Sequence, residues 1–456
     1  MSAGNAIRQG TAAADSVRDL MPRLQAELVD LVAIPSVSAP GFPEETRPSL
    51  VAAYEQILGL LRDAGVERLG AFELPDTAPV VIGEIPAADG APTVLLYGHY
   101  DVVPAGDESE WESPPWEASE RNGAIYGRGT ADSKSNVLVH VGALRAWNGR
   151  PPVGVKILIE GQEEVGSPLE TPSNLAQFAA DALLVADGGN IRPGEPSLTV
   201  SIRGDAALTV EARTLASGKH SGQYGGAAPD ALIALLHGLA TLHDADGNVA
   251  VLGLRRDEWT GVTDTEEEFR ELAEVAPGVP LFGTGGLGER IWTGPAITVT
   301  GIDAPPVDGA VNAVSPYARA KLNMRIHPEQ DAAEAQAAVV RHLESVRPFG
   351  LQLEVEAGDT GNGFRGKTSG PAWDAMASAM ATAWGGSPVQ IATGGAIPLV
   401  KALSDAIPAA TVLLFGTTDK FANIHGPNER VLIDEFEKAV LAETVFFEEY
   451  ANRAKA

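Results

Sequence analysis

The side chains of this 456-residue chain that could do chemistry stand at the ends of apolar runs. The run "TVLLYGHYDVVPAG" (93–106) reads as a buried strand, yet it ends in His99 with Asp101 two positions on. In an extended segment those two side chains point the same way. Glu163 and Glu164 follow a second apolar run, 153–161, and Asp187 follows a third, 182–186. Open α/β sheets bind ligands outside the carboxyl ends of their strands, so three adjacent strand tips would gather one histidine and four carboxylates. Left unneutralised, that many carboxylates repel and raise one another's pKa values, which divalent cations would relieve. Histidine nitrogen with carboxylate oxygen suits a catalytic zinc or a similar ion better than a structural zinc. There is no cysteine, which excludes disulfides, thiolate metal sites and cysteine nucleophiles.

Two loops add candidates. "IYGRGTADSKSN" (125–136) places Asp132 just before a helix, and "FANIHGPNERV" (421–431) places His425 between a strand and a helix. Asp101 is placed to orient the His99 imidazole from behind. Glu163 and Glu164 are neighbours and tend to point apart, so one can hold metal while the other handles a proton. Two histidines and three carboxylates, one of them bridging, suffice for two metals with open positions for water.

The elements that must position these residues follow from apolar periodicity. Residues 16–33 read as a helix with Leu20, Leu24, Leu28 and Leu31 on one stripe, and 47–65 as a second. Apolar runs at 79–85, 93–98, 153–161 and 181–187 alternate with helical segments, for example 135–147 and 173–180. That pattern predicts a largely parallel α/β sheet covered by helices. From about 197 the pattern turns to apolar–polar alternation. A helix at 229–243, strands at 296–302 and 317–326, a helix at 331–346 and a strand at 351–356 complete a β-α-β-β-α-β order, as in a ferredoxin-like unit. The buried α/β pattern resumes with a helix at 371–384 and a strand at 410–416. The prediction is a discontinuous α/β domain, 1–203 with 361–456, interrupted by an inserted α+β lid domain, 204–360.

Six segments, in order and spanning nearly the whole chain, resemble the M20 family of metallopeptidases: "GHYDVVP", "GRGTADSK", "EGQEEVGSP", "VADGG", "SGKHSGQYGG" and "NIHGPNER". The resemblance implies a metal-dependent exopeptidase fold with two divalent ions, zinc, with manganese or cobalt as alternatives. Residue by residue, it makes Asp132 the bridge, His99 and Asp187 the rest of one site, and Glu164 and His425 the rest of the other. It makes Glu163 the general base on the water between the metals and Asp101 the residue that orients His99. It also implies a cis peptide after the bridging aspartate, here Asp132–Ser133. In the inserted domain it assigns His220 to the oxyanion and matches Asn312 and Arg325 to substrate contacts. Gly394 and Gly395, in "TGGAIP", match a loop near the substrate carboxylate, where Ala396 stands in place of a frequent serine. It implies a homodimer through the inserted domain, whose closure, hinged near Gly204 and 358–370, would bring His220 and Arg325 to the substrate.

The expected activity is therefore amide hydrolysis of dipeptides or small peptides. The alternative is N-acyl-amino-acid hydrolysis with the same metals. A non-catalytic peptide-binding relative would have lost Glu163 or a metal ligand, and all are present. A formal charge of −28 argues against nucleic acid and anionic membrane as partners. No apolar run is long enough to span a bilayer, and the first residues lack a basic–apolar leader, so a cytoplasmic protein is expected. His140, His237, His243, His327 and His342 read as packing or surface residues, and Trp111 and Trp116 as packing for the loop before Asp132. "GTGGLG" (283–288) lacks the strand and helix that a nucleotide loop requires.

Overall fold

The computed structural model describes residues 3–167, 169, 172–395 and 398–455. Pro168, within "EGQEEVGSP", and Ala396 lie outside them. The chain divides into two compact units, Met1–Val200 with Gly366–Ile391 and Pro398–Ala456, and Ser201–Arg365 with Ala392–Ile397.

Two helices open the first unit, α1 (Ala3–Val32) and α2 (Arg47–Asp63). Leu24, Leu28 and Leu31 of α1 are fully buried, as their spacing along one helix face requires. Strands β1 (Arg68–Phe72), β2 (Val80–Ile85) and β3 (Thr93–His99) follow, then α3 (Ser135–Ala146), β4 (Gly154–Glu160), β5 (Ala182–Ala186) and β6 (Ser197–Ile202). The second unit contributes β7 (Gly204–Arg213), α4 (Ala231–Ala240), β8 (Ala296–Asp303), β9 (Tyr317–Ile326), α5 (Ala332–Ser345) and β10 (Glu354–Gly361). The chain then returns to the first unit through α6 (Pro371–Trp384), β11 (Thr411–Phe415) and α7 (Ile433–Arg453).

The strands of the first unit pair in the order β1-β2-β4-β3-β5-β11-β6. The central four, β4, β3, β5 and β11, are parallel, so their carboxyl ends share one edge. β2 and β6 run antiparallel to them at the flanks, and β1 pairs antiparallel with β2. Val94–His99 of β3 and every residue of β5 are buried, the signature of parallel strands covered on both faces. All twelve residues of α3 are buried too, because α1 and α7 pack over it. Its Gly142 makes this possible: a Cβ there would stand 2.8 Å from Val440 Cγ1 of α7 and 2.9 Å from Leu24 Cδ1 of α1. The close approach outweighs the ~1 kcal/mol that glycine costs inside a helix.

The second unit is a four-stranded antiparallel sheet of order β8-β9-β7-β10, the ferredoxin-like arrangement. Ala206, Leu208 and Val210 of β7 and Ala320, Leu322 and Met324 of β9 bury one face in a common core with Leu235 of α4 and Val339 of α5. The last strand departs from expectation. It begins three residues late and runs through Gly358 to Gly361. Pairing with β7, with a bulge between Ala206 and Leu208, supplies the ladder that overrides the weak strand preference of glycine.

Candidate metal centre

The parallel register sets His99 at the tip of β3 directly beside Glu160 at the tip of β4. His99 is fully buried. Its Nδ1 lies 3.1 Å from the Asp101 carbonyl and 3.3 Å from Asp101 Oδ1. Both are acceptors, so Nδ1 carries the proton and Nε2 is turned outward. Nε2 lies 3.0 Å from Asp132 Oδ1 and 3.4 Å from Asp187 Oδ1. Asp101 also holds the neighbouring turn, since its two oxygens accept the Glu163 and Glu164 main-chain N–H groups at 3.2 and 3.1 Å. One buried carboxylate thus fixes both the imidazole and the turn Glu163–Val165 that follows β4. That turn is tied from the other side by Glu160, whose buried carboxylate accepts the Tyr97 hydroxyl at 2.8 Å and the Ser167 hydroxyl at 2.6 Å.

Asp132 stands between two histidines. Its Oδ1 faces His99 and its Oδ2 lies 3.1 Å from His425 Nε2, which is also 3.0 Å from Glu164 Oε2. The Asp132–Ser133 peptide is cis. His425 occupies the left-handed region at φ 63°, uncommon for a residue with a bulky side chain. Its loop is stapled by Arg430, which grips Asp419 through two bonds of 2.6 and 2.9 Å.

The Asp132 loop is held by a residue that motif reading passes over. Glu429, fully buried, accepts four hydrogen bonds. Its Oε2 takes Arg128 Nη1 at 2.7 Å and Gly129 N at 2.9 Å. Its Oε1 takes Ala131 N at 2.9 Å and Asp132 N at 3.0 Å. Trp111 lies under the Arg128 guanidinium, 5.3 Å from it, and donates its Nε1–H to the Ala105 carbonyl. His140 also proves to be more than packing. It is buried in α3, with Nδ1 2.8 Å from Glu443 Oε2 and Nε2 3.0 Å from the Tyr97 carbonyl of β3. A glutamate or histidine that works on main-chain groups far along the sequence has no motif of its own, beyond lying inside or beside a chemical segment.

Burial and mutual repulsion act on the carboxylates as their density dictates. Burial pushes Glu163 up to about 9, helped by Asp187, Glu164 and Asp101 and opposed by His99. Burial likewise pushes Asp187 up to about 6. The two carboxylates facing His425 push it up to about 10.

The donor set fits divalent metal. One ligand atom each from His99, Asp132 and Glu164 lie within 4.8 Å of one another. Glu164 Oε1 is buried with no hydrogen-bond partner among the described residues, a costly state that a cation would relieve. Glu163 has no side-chain hydrogen bond or ion pair among the described residues. The remaining candidates lie in the second unit. His220 caps the short helix Ser221–Tyr224, accepting the Gly222 N–H on Nδ1 at 3.1 Å. Asn312 is close by, its carbonyl accepting the Ser221 N–H. Arg325, on β9 opposite Asp205, and Gly394 and Gly395, after Thr393, lie in the same unit.

A parallel sheet carrying this histidine–carboxylate cluster at its strand tips, with a ferredoxin-like insertion, defines a metallohydrolase. The chain belongs to the family described as Peptidase family M20/M25/M40, which matches residues 95–448. It is 38% identical over 83% of its length to the cysteinylglycine-S-conjugate dipeptidase of Corynebacterium striatum, covering 85% of that protein. It is 28% identical over 89% of its length to the human Beta-Ala-His dipeptidase, again covering 85% of the relative. The crystal structure of human carnosine dipeptidase 1 superimposes with a TM-score of 0.78 at 25% identity, over 97% of this chain and 99% of that one. Membership implies use of divalent metal.

Proposed function

We propose that the protein is a dinuclear dipeptidase that hydrolyses the amide bond of dipeptides. The observation that carries this reading is the division of Asp132 between His99 and His425, with Asp187 beside one and Glu164 beside the other. Asp132 would bridge two ions, His99 and Asp187 completing one site and Glu164 and His425 the other. Zinc suits this nitrogen and oxygen set, as do manganese and cobalt. When bound, such a pair lowers the pKa of water and stabilises charge on the attacked carbonyl.

The chain's own residues supply the rest. Asp101 holds His99 in the tautomer that turns Nε2 outward. Glu163, partly exposed and without a side-chain partner among the described residues, takes a proton from the attacking water and passes it to the leaving nitrogen. With Nδ1 of His220 occupied by the Gly222 amide, its proton belongs on Nε2, an exposed donor suited to an oxyanion. Asn312, Arg325, Gly394 and Gly395 are assigned to substrate contacts. The same reading makes the protein a homodimer through the second unit, where β8 ends the sheet and exposes Val299 and Ile302. A single-chain mass by sedimentation equilibrium would remove that element.

Metal-stripped protein is tested on a mixed pool of dipeptides and N-acyl amino acids, without metal and with zinc, manganese or cobalt restored. Metal-dependent loss of dipeptides is expected. Loss of the acyl amino acids alone would replace the dipeptidase with a deacylase. Glu163→Gln keeps metal binding and loses about 10²–10⁴-fold in turnover. Retained turnover would remove Glu163 from its role as base.

A further inference from the structure

Asp132 and Asp187 stand on different segments of the first unit, and one buried side chain joins the two. Asn136, in the first turn of α3, is 1% exposed. Its Oδ1 accepts the Thr417 main-chain N–H at 2.9 Å and the Thr417 hydroxyl at 3.1 Å. Its Nδ2 donates to the Ala131 carbonyl at 3.2 Å and to Ser133 Oγ at 3.3 Å. The main-chain partners fix which way the amide faces, since an N–H can only donate and a carbonyl can only accept. Ala131 and Ser133 are the two neighbours of Asp132, so the amide grips the Asp132 loop on both sides of the carboxylate.

The acceptor end of the amide leads to Asp187. Thr417 follows β11, whose last residue, Phe415, accepts the Asp187 and Gly188 N–H groups on its carbonyl, each at 3.1 Å. The Thr418 hydroxyl donates to the Gly188 carbonyl at 2.8 Å. Ser133 reaches Asp187 from its other side, donating to the Ala186 carbonyl at 3.4 Å. This packing has no slack: a Cβ on Gly416 would stand 2.2 Å from the Gly188 carbonyl oxygen and 2.8 Å from Asn136 Oδ1. The groups of the other assigned ion are held separately. Asp101 accepts the Glu164 N–H, and Arg430 staples the His425 loop through Asp419. Glu429 also holds the Asp132 loop, through the Ala131 and Asp132 N–H groups. Asp187 therefore depends on Asn136 more than any other assigned ligand does.

We propose that Asn136 is a positioning residue that sets Asp187 against Asp132 and so fixes the affinity of the ion held by His99, Asp132 and Asp187, while leaving the ion at Glu164 and His425 nearly untouched. A planar amide suits the place because one end must accept and the other must donate. Leucine has neither function, and aspartate would turn an acceptor toward the Ala131 carbonyl. The division into two ions rests on the dinuclear reading above; the buried network does not.

The test is calorimetric titration of metal-stripped protein with zinc, for wild type, Asn136→Leu, Thr417→Val, Asp187→Asn and the double variant of Asn136→Leu with Asp187→Asn. In Asn136→Leu one equivalent is expected to weaken about 10–100-fold while the other stays within about 3-fold. Thr417→Val removes only the hydroxyl bonds and is expected to weaken the same equivalent about 2–10-fold. In the Asp187→Asn background Asn136→Leu should cost less than about 3-fold more, because the group it positions is already gone. Equal weakening of both equivalents, as general loosening would give, overturns the proposal, and so does a full additional loss in the double variant. If Asn136→Leu does not fold, Thr417→Val decides alone, and unchanged binding of both equivalents overturns the proposal. A single equivalent in wild type, weakened by Asn136→Leu but not in the Asp187→Asn background, would uphold the positioning role while removing the two-ion reading. Two equivalents, neither altered by Asn136→Leu, would do the reverse.

Discussion

Replacing Glu429 by glutamine separates a carboxylate that positions Asp132 from one that merely fills space. Glu429 takes four donors: Arg128 and Gly129 on one oxygen, Ala131 and Asp132 on the other. Glutamine offers one acceptor oxygen and an NH₂ that can only donate. The better arrangement leaves the oxygen with Arg128 and Gly129 and turns the NH₂ toward the Ala131 and Asp132 N–H groups. Two buried amides then lose their acceptor, at ~1–3 kcal/mol each, and the Arg128 bond loses its charge assistance, at ~1 kcal/mol. The substitution also relieves the repulsion between the Glu429 and Asp132 carboxylates, which offsets part of the loss. The net expectation is on the order of 4 kcal/mol, a large share of the ~5–15 kcal/mol that holds a domain folded. Because four partners belong to residues 128–132, the loss falls on that loop. Hydrogen exchange on metal-free protein is the assay, since it reads the opening of a segment directly. The opening free energy of 128–132 should fall by that amount while the amides of β3 and β5 keep their protection. Zinc affinity, measured by calorimetry, should fall about 10–100-fold, as when a residue that orients a ligand is lost. A change below ~1 kcal/mol in the loop, with unaltered zinc affinity, would refute the reasoning.

Asp101→Asn keeps the main-chain carbonyl for the His99 Nδ1–H but leaves one side-chain acceptor for the Glu163 and Glu164 amides, so zinc affinity should drop about 10–100-fold by calorimetry, and turnover with it. His140 faces two acceptors, the Glu443 carboxylate and the Tyr97 carbonyl, so it carries both protons. Burial lowers its pKa, but Glu443 and the Tyr97 carbonyl outweigh burial and the pKa stands above its ordinary value. The folded protein therefore keeps a proton that the unfolded chain releases above about pH 6.5, so this stability is present below that pH and is lost as pH rises through the folded value. Glu443→Gln should lower the melting temperature at pH 6 and flatten its decline toward alkaline pH; an unchanged slope would remove His140 as its source.

The parts of the fold that are legible in the sequence are those where one residue type states its own environment. Val94 to Tyr97 are apolar without alternation because β3 is covered on both faces, and a histidine ending such a run has no packing reason to be there. The antiparallel direction of β2 is not legible, since "PVVIGEI" is equally apolar whichever way it runs. Strand β1, with Gly70 at its centre, and the end of β10, with Gly358 and Gly361, owe their state to the partner strand rather than to their own preference. Glu429 lies within a motif, yet nothing in the motif states its role. Its acceptors meet main-chain N–H groups about 300 positions away, and any residue type carries such a group. Arg203, the residue after β6, is silent for the opposite reason: an arginine beside a strand is normally solvated, yet this one is buried, with no hydrogen-bond partner at Nε among the described residues.

Asp101 and Glu429 together show how an acidic site can be rigid before any cation arrives. Neither is assigned to metal, yet each adds a negative charge behind carboxylates that already repel. A neutral amide in either place would bring donors into positions where only acceptors are useful, because the groups to be held are N–H. The main-chain amides, with Arg128 at Glu429, offset the added charge locally, and what remains strengthens the pull on a divalent ion. The conflict is thereby moved onto the groups that face the ion: Glu164 Oε1 without a partner, Glu163 driven up to about 9 and Asp187 to about 6. Those are the groups whose charged forms a bound cation favours. The carboxylates that hold the loops are met by main-chain donors, whereas those that would hold metal meet only the imidazoles that would share it, and Glu164 Oε1 has no partner among the described residues.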